Sequence, residues 1–283
     1  MAMRPVVVGV DGSEESMRAA EWAALAAVRH HAPLRIVSAP PGLPPILTTP
    51  AVERQLGDIS LHALSEAVSR ATELAPQLLI EASLLDGEPA LAVAATGSGA
   101  LMLVVGARGG GGFMGMALGS ISRYIAAHAP CPAVVVRTET SSVQREVVAG
   151  VRDAVEAQHV LGFAFEEAAL RGAELVIVHS LYDSAPALGL GPGGGDQAQT
   201  LAEAGRSVGA ALRGWQDKYP EVQVRQDVVL AHPAKVLACY SARADLVVIG
   251  RRDEGSAGPA IGGTKHALLN HARGTVVVIP PGG

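Results

Sequence analysis

Ala100-Leu-Met-Leu-Val-Val-Gly-Ala-Arg-Gly109 is an apolar run that stops in glycine, and nine residues later comes Gly119-Ser-Ile-Ser122. The segment from Ala100 to Val105 reads as a short, fully buried strand. Beyond it, glycines at Gly109 to Gly112 and Gly115 permit positive φ and a close approach of the backbone to a ligand. Successive amides of such a turn form an anion nest, and a helix beginning near Ser120 adds its positive end. The stretch therefore predicts a strand, a phosphate-binding turn and a helix, the unit from which parallel α/β sheets are built.

The same unit occurs twice. Leu101-Met-Leu-Val-Val-Gly-Ala-Arg108 returns as Asp245-Leu-Val-Val-Ile-Gly-Arg-Arg252, and Gly119-Ser120 returns as Gly263-Thr264, each 144 positions on. Asp86-Gly-Glu-Pro-Ala90 likewise matches Leu230-Ala-His-Pro-Ala234, whereas Gly9-Val10 matches Gly150-Val151 at an offset of 141. Two domains follow, 1–139 and 145–283, separated by the polar joint Thr138–Glu146. In the first, strands are expected near 5–10, 34–39, 78–85, 101–106 and 133–137; in the second, near 146–151, 174–180, 222–229, 245–250 and 275–279. Helical patterns between them point to a parallel sheet covered on both faces. Ser13 is positioned to cap the first helix, Glu14 and Glu15 suit its positive end, and Ala19, Ala20, Ala23, Ala24 and Ala27 give it a thin face.

G-x-x-G, nine residues, G-[S/T], together with Val6-Val-Val-Gly-Val-Asp-Gly-Ser13 and Gly87-Glu-Pro-Ala90, resembles the ATP-binding signature of the universal stress protein family. The resemblance covers nearly the whole chain because the layout is duplicated. It implies two tandem open-sheet, Rossmann-like domains of the adenine nucleotide alpha hydrolase-like type. Each would be a five-stranded parallel sheet of order 3-2-1-4-5 with helices on both faces. In that order the first and fourth strands adjoin, and a ligand sits beyond their carboxyl ends. The implied site comprises Gly9, Asp11, Ala39, Gly106, Arg108, Gly109, Gly119, Ser120, Ile121 and Ser122. Asp11 would hold the nucleoside, the backbone at Ser38 or Ala39 would face adenine, and the glycine-loop and helix amides would hold the phosphates. Ser120 and Ser122 would add hydroxyls, Arg108 a guanidinium, and Mg2+ would ride on the phosphates of ATP.

What the resemblance implies about function is a nucleotide-dependent regulatory module of the stress response, with an undefined protein partner. The alternatives are an ATP-using enzyme on the same broad fold and a nucleotide-free dimerisation scaffold. The enzyme marks S-G-G-x-D-S and H-x-G-H are absent, and Asp11-Gly-Ser13 has no accompanying triad, so hydrolysis is expected to be slow at most. The last strands, Ala133–Val136 and Thr275–Val278, would be sheet edges; in the family such strands pair, which implies an internal pseudo-dimer and leaves room for a homodimer.

The second copy departs from the signature. Arg152 stands for Asp11, Asp253 for Gly109 and His266 for Ser122. An aspartate about 5 Å from a triphosphate costs roughly 3 kcal/mol per facing charge at an effective dielectric near 20. Arg251, Arg252 and Lys265 offer compensation, and one good ATP site per chain, in the first copy, is the expectation.

Composition adds exclusions. With 22 basic and 27 acidic residues the net charge is −5, so there is no electrostatic case for nucleic acid or an anionic membrane. Two cysteines at non-equivalent places, Cys131 and Cys239, fit neither a disulfide framework nor a metal site, and suit a reducing cytoplasm. The chain enters a strand at once after Met-Ala-Met-Arg, with no secretory leader expected, and the apolar stretch from Leu91 to Ala107 is broken at Thr96–Gly99. Gly110, Gly112 and Gly115 formally spell G-x-G-x-x-G, but in a four-glycine run after the fourth strand that match is cheap. No G-x-x-x-x-G-K-[S/T] is present, and Gly191–Gly195 reads as a loop tip.

Overall fold

The computed structural model describes residues 3–42, 46, 49–109, 118–137, 145–152, 154–181, 197–251 and 263–282. They fall into two compact units, one within Met1–Thr138 and one within Glu139–Gly282. The joint at 138–144, the glycines at 110–112 and 115, Gly191–Gly195 and Asp253 lie outside the described residues.

The first unit runs β1 (Val6–Gly9), α1 (Glu14–Arg29), β2 (Leu34–Ser38), α2 (Pro50–Leu74), β3 (Ile80–Leu84), α3 (Pro89–Ala95), β4 (Met102–Gly106), α4 (Ser120–His128) and β5 (Ala133–Val136). The second runs β6 (Glu146–Val151), α5 (Ala154–Arg171), β7 (Glu174–Ser180), α6 (Gln197–Lys218), β8 (Val224–Val229), α7 (Pro233–Ser241), β9 (Leu246–Gly250), α8 (Gly263–His271) and β10 (Val276–Ile279). Strand order is β3-β2-β1-β4-β5 in the first unit and β8-β7-β6-β9-β10 in the second, which is 3-2-1-4-5 in each. The pairs are parallel. Each expected strand forms within about two residues of its predicted bounds.

Valines fill the central strands because both faces are covered: Val6, Val7, Val8, Val104, Val134 and Val135 are fully buried. Burying such a side chain stabilises by roughly 1.5–3 kcal/mol. On α1 the alanine face is as thin as its sequence suggests, with Ala19, Ala20, Ala23, Ala24, Ala26 and Ala27 fully buried. The helix therefore lies close against β1 and β4.

The two faces can be told apart at glycines. Gly9 pairs in register with Val105, so Gly106, one residue on, faces the other way. A Cβ on Gly9 would sit 3.1 Å from Val93 Cγ1 of α3, and one on Gly106 would sit 2.8 Å from the backbone O of Glu15 in α1. The layers thus press in at the carboxyl end of the sheet from both sides. In the second unit Gly150 repeats the device, with Leu237 Cδ1 2.8 Å from its would-be Cβ.

At the amino end of the second sheet, five charged residues form an ion network. Arg225 reaches Glu146 Oε1 at 3.4 Å, Glu174 Oε1 at 3.4 Å and Asp227 Oδ2 at 2.5 Å, while Arg243 meets Glu146 Oε2 at 3.2 Å. The Tyr240 hydroxyl donates to the same Asp227 oxygen. Among the described residues, no helix is long and apolar enough to cross a membrane, and Cys131 and Cys239 are free thiols.

Candidate functional site

Gly12 is the hinge of the turn that closes β1. Its φ of +84° is a left-handed value that glycine adopts without penalty. This turn folds the Asp11 carboxylate back over the start of α1, where Oδ1 accepts hydrogen bonds from Ser13 N at 3.0 Å and Ser13 Oγ at 2.6 Å. Ser13 is the N-cap, its Oγ accepting from Ser16 N at 3.2 Å, as the sequence suggested. Ser16 Oγ in turn accepts from Asp11 N at 3.2 Å and donates to Ser13 O at 2.8 Å. Asp11 is therefore exposed yet held in one orientation.

Strand register carries the second motif to the first. Gly9 pairs with Val105 at the last rung of the ladder, so Asp11 and Ala107 each lie two residues beyond it on adjoining strands. Gly109 then lies against the carboxylate: a Cβ there would collide with Asp11 Oδ2. Only a residue without a side chain fits. Its φ is not in the left-handed region, so of the two freedoms glycine offers, close approach is the one used at 109.

The helix that follows is uncapped. Gly119 is the N-cap of α4, with φ −70° and ψ 160°, and no side chain caps the first turn. The amides of Ser120, Ile121 and Ser122 belong to that turn, which has no intrahelical acceptor, while Arg123 N makes the first helical bond, to Gly119 O at 3.0 Å. Gly119 N donates to Ala107 O at 2.8 Å, pinning the neck of the intervening loop. The donor-rich end of α4 is thereby fixed next to the end of β4 and to Asp11, with Arg108 and Ser120 exposed beside it.

Three of the ten expected residues lie beneath this crevice. Gly9 and Gly106 serve helix packing, as described. Ser122 is 4% exposed and its hydroxyl donates to Gly106 O at 2.6 Å, tying α4 to β4. Ala39 follows β2 at the adjoining strand end and is half-buried. Its neighbour Ser38 is buried and locked by a 2.8 Å bond from Oγ to Val10 O. Sequence reading missed Ser16 and Ser38 as the braces of the strand ends, although the Ser13-x-x-Ser16 spacing carried the first. It also missed Glu88, which caps α3 by accepting from Leu91 N at 2.9 Å.

In the second unit the equivalent crevice differs chemically. Arg152 follows β6, Arg251 follows β9, and Lys265 and His266 occupy the first turn of α8. His179 Nδ1 lies 2.9 Å from Val151 O, in the place of the Ser38 brace.

Each unit is thus an open, parallel α/β domain whose switch point, in the first, joins an oriented carboxylate to an uncapped helix start. Residues 3–137 and 144–280 each match the profile of the universal stress protein family, and the chain belongs to that family. Universal stress protein Rv2005c of Mycobacterium tuberculosis is 31% identical over 293 residues, covering 96% of both chains. Universal stress protein Rv2623 of the same organism is 30% identical over 288 residues, covering 96% of this chain and 95% of its own. Among solved structures, a universal stress protein from Archaeoglobus fulgidus superposes with a TM-score of 0.69 at 15% identity over 98% of both chains, a likeness of fold.

Proposed function

We propose that the first unit binds ATP at the switch point between β1 and β4 and that the chain acts as a nucleotide-dependent regulatory module rather than as a fast enzyme. The observation that carries this reading is the packing of Gly109 on Asp11 beside the uncapped start of α4. A carboxylate that accepts ribose hydroxyl protons and a set of free amides that hold phosphate oxygens are thereby brought to one crevice. Asp11 Oδ2 is the oxygen that lies against Gly109, while Oδ1 serves Ser13, and the ligand would meet the carboxylate on its Oδ2 side. Arg108 would reach phosphate oxygens from the loop, and Ala39 would border the base through its backbone.

Among the described residues there is no group of three or more His, Cys, Asp or Glu that could hold a metal ion, so Mg2+ would be carried by the phosphates. Among the described residues of the crevice, Ser122 is buried and Asp11 Oδ1 is engaged by Ser13, so neither is placed to act as a general base for water, and turnover is expected to be slow. The cytoplasm, where ATP is plentiful, is the compartment this reading requires. Calorimetric titration with ATP, with and without Mg2+, tests it together with a phosphate-release assay. One ATP per chain without rapid release supports a regulator; phosphate release at tens per second, within the ordinary enzymatic range, overturns it.

A further inference from the structure

Among the described residues, β3 pairs with β2 on one side and with no strand on the other. Leu79 O accepts from Leu34 N at 2.9 Å and Leu85 N donates to Ser38 O at 2.7 Å, so the odd-numbered residues turn their backbone groups toward β2. Direction alternates along a strand, and the N–H and C=O of Ile80, Ala82 and Leu84 therefore point outward. Natural edges of this kind are guarded by charge, proline or a cover. Here the stretch Leu78–Leu85 carries one charge, Glu81, and Leu79 is 67% exposed and Leu84 38%. By contrast β8, at the same place in the second unit, carries Arg225 and Asp227, and none of its valines is exposed.

The helix beside this edge is uncharged on the same side. α1 lies against β1 and β4, whereas α2 packs on β2 and β3 alike. Arg70 of α2 is turned toward α1, where it meets Glu14 and Glu21, each at 3.2 Å. At about 100° per residue, the flank of α2 opposite Arg70 presents Gly57, Leu61, Ser65, Val68 and Thr72. That flank faces past β3, holds no charge, and its Leu61 is 52% exposed. Strand edge and helix flank form one continuous surface.

We propose that this surface pairs with its counterpart in a second copy of the chain, the two β3 strands running antiparallel about a two-fold axis at Ala82. Such an interface needs a strand that complements itself. With the axis at Ala82, Ile80 opposes Leu84 of the second copy on the α2 side, and Glu81 opposes Ser83 on the other side. Apolar meets apolar, and the one carboxylate meets a hydroxyl. An axis at Glu81 would set two carboxylates face to face, and an axis at Ser83 would set Ile80 against Asp86; opposed like charges destabilise a strand pair. The favoured register also engages Ile80, Ala82 and Leu84 with one another, the residues whose backbone groups point outward. The helices fit this arrangement. Lying over the gap between β2 and β3, the axis of α2 stands one strand spacing, about 4.8 Å, from the two-fold. The two copies of α2 are then about 10 Å apart, within reach of helix packing. This assembly uses neither crevice and does not depend on nucleotide binding.

Sedimentation velocity of the full-length chain over a concentration series tests the pairing. The wild-type chain should associate reversibly. Ala82→Pro removes an outward N–H and leaves the ladder to β2 intact, and it should halve the mass of the assembly. Ala82→Lys, at an exposed position and with its N–H retained, sets two ammonium groups together at the axis and should do the same, which keeps the test open should the proline variant fold poorly. The register is read by crosslinking. Glu81 and Ser83 of the second copy form a non-hydrogen-bonded pair with Cα atoms about 4.5 Å apart, within disulfide reach. In a Cys239→Ser background, Glu81→Cys/Ser83→Cys should therefore oxidise to a covalent dimer. A wild-type chain that stays single at every concentration overturns the proposal. So does an assembly whose mass neither Ala82 variant reduces, or one that forms no crosslink through the paired cysteines.

Discussion

Alanine at Gly106 should weaken the fold of the first unit, whereas alanine at Gly119 should weaken ligand binding and leave the fold alone. At Gly106 the new Cβ would lie 2.8 Å from Glu15 O, 2.9 Å from Glu15 C and 3.2 Å from Ser16 N. All three are backbone atoms of α1, so the helix start must back away. Overpacking of this kind costs about 1–3 kcal/mol. Loss of freedom in the unfolded chain offsets roughly 0.4–1 kcal/mol. A net loss of about 1–2 kcal/mol lowers the melting temperature of a unit this size by roughly 5 °C. At Gly119 the Cβ would meet Ala107 O at 3.5 Å and Arg108 Cα and Ser122 Oγ at 3.6 Å, ordinary contacts, and the φ of −70° suits any residue. Its stability should stay within about 0.5 kcal/mol of wild type. A methyl at the neck of the loop stands among the amides offered to phosphate, so ATP affinity should drop tenfold or more, about 1.4 kcal/mol. Differential scanning calorimetry and ATP titration of both variants separate the two effects. Unchanged melting in Gly106→Ala, or wild-type ATP affinity in Gly119→Ala, refutes the assignment of these glycines.

Gly119→Val should abolish ATP binding while circular dichroism stays native. Saturation should come at one ATP per chain, and Asp253→Gly alone should not restore a second nucleotide site while Arg152 remains; calorimetric stoichiometry decides both. Burial, reinforced by the hydrogen bond to Asp227, pushes the Tyr240 phenol above its ordinary range. Its neutral form is thus favoured by folding, a stabilisation present below about pH 10 and lost as pH rises through the folded value. Ultraviolet titration should show one late-ionising tyrosine that Tyr240→Phe removes. Glu146→Ala leaves Arg225 and Arg243 without their shared carboxylate, and chemical denaturation should show a loss of about 1–3 kcal/mol.

Periodicity and local signals made most of the architecture legible. Valine runs marked the strands, Ser13 and the two glutamates marked the start of α1, and the alanine spacing marked the face it buries. Repetition at offsets of 144 and 141 marked the second unit. What local reading could not supply was which neighbour fills the space beside a residue. Gly106 and Ser122 fell within a phosphate-binding pattern, yet one yields to the backbone of α1 and the other bonds to the strand beneath it. Those partners are 91 and 16 positions away, and only the packed sheet brings them close. The Arg225 network was illegible for the same reason, since its members begin three different strands.

The double service of Asp11 makes the first helix a reporter. The carboxylate assigned to the ligand through Oδ2 also accepts through Oδ1 from the N-cap residue of α1, so a ligand that draws negative charge to Oδ2 would weaken what Oδ1 gives to Ser13. A cap of this kind is worth about 0.5–2 kcal/mol. Occupancy would therefore reset the fraying of Glu14 to Met17, and with it the protection of those amides against solvent exchange. A partner docked on the outer face of α1 would sense the nucleotide through the firmness of one helical turn, with no domain motion required.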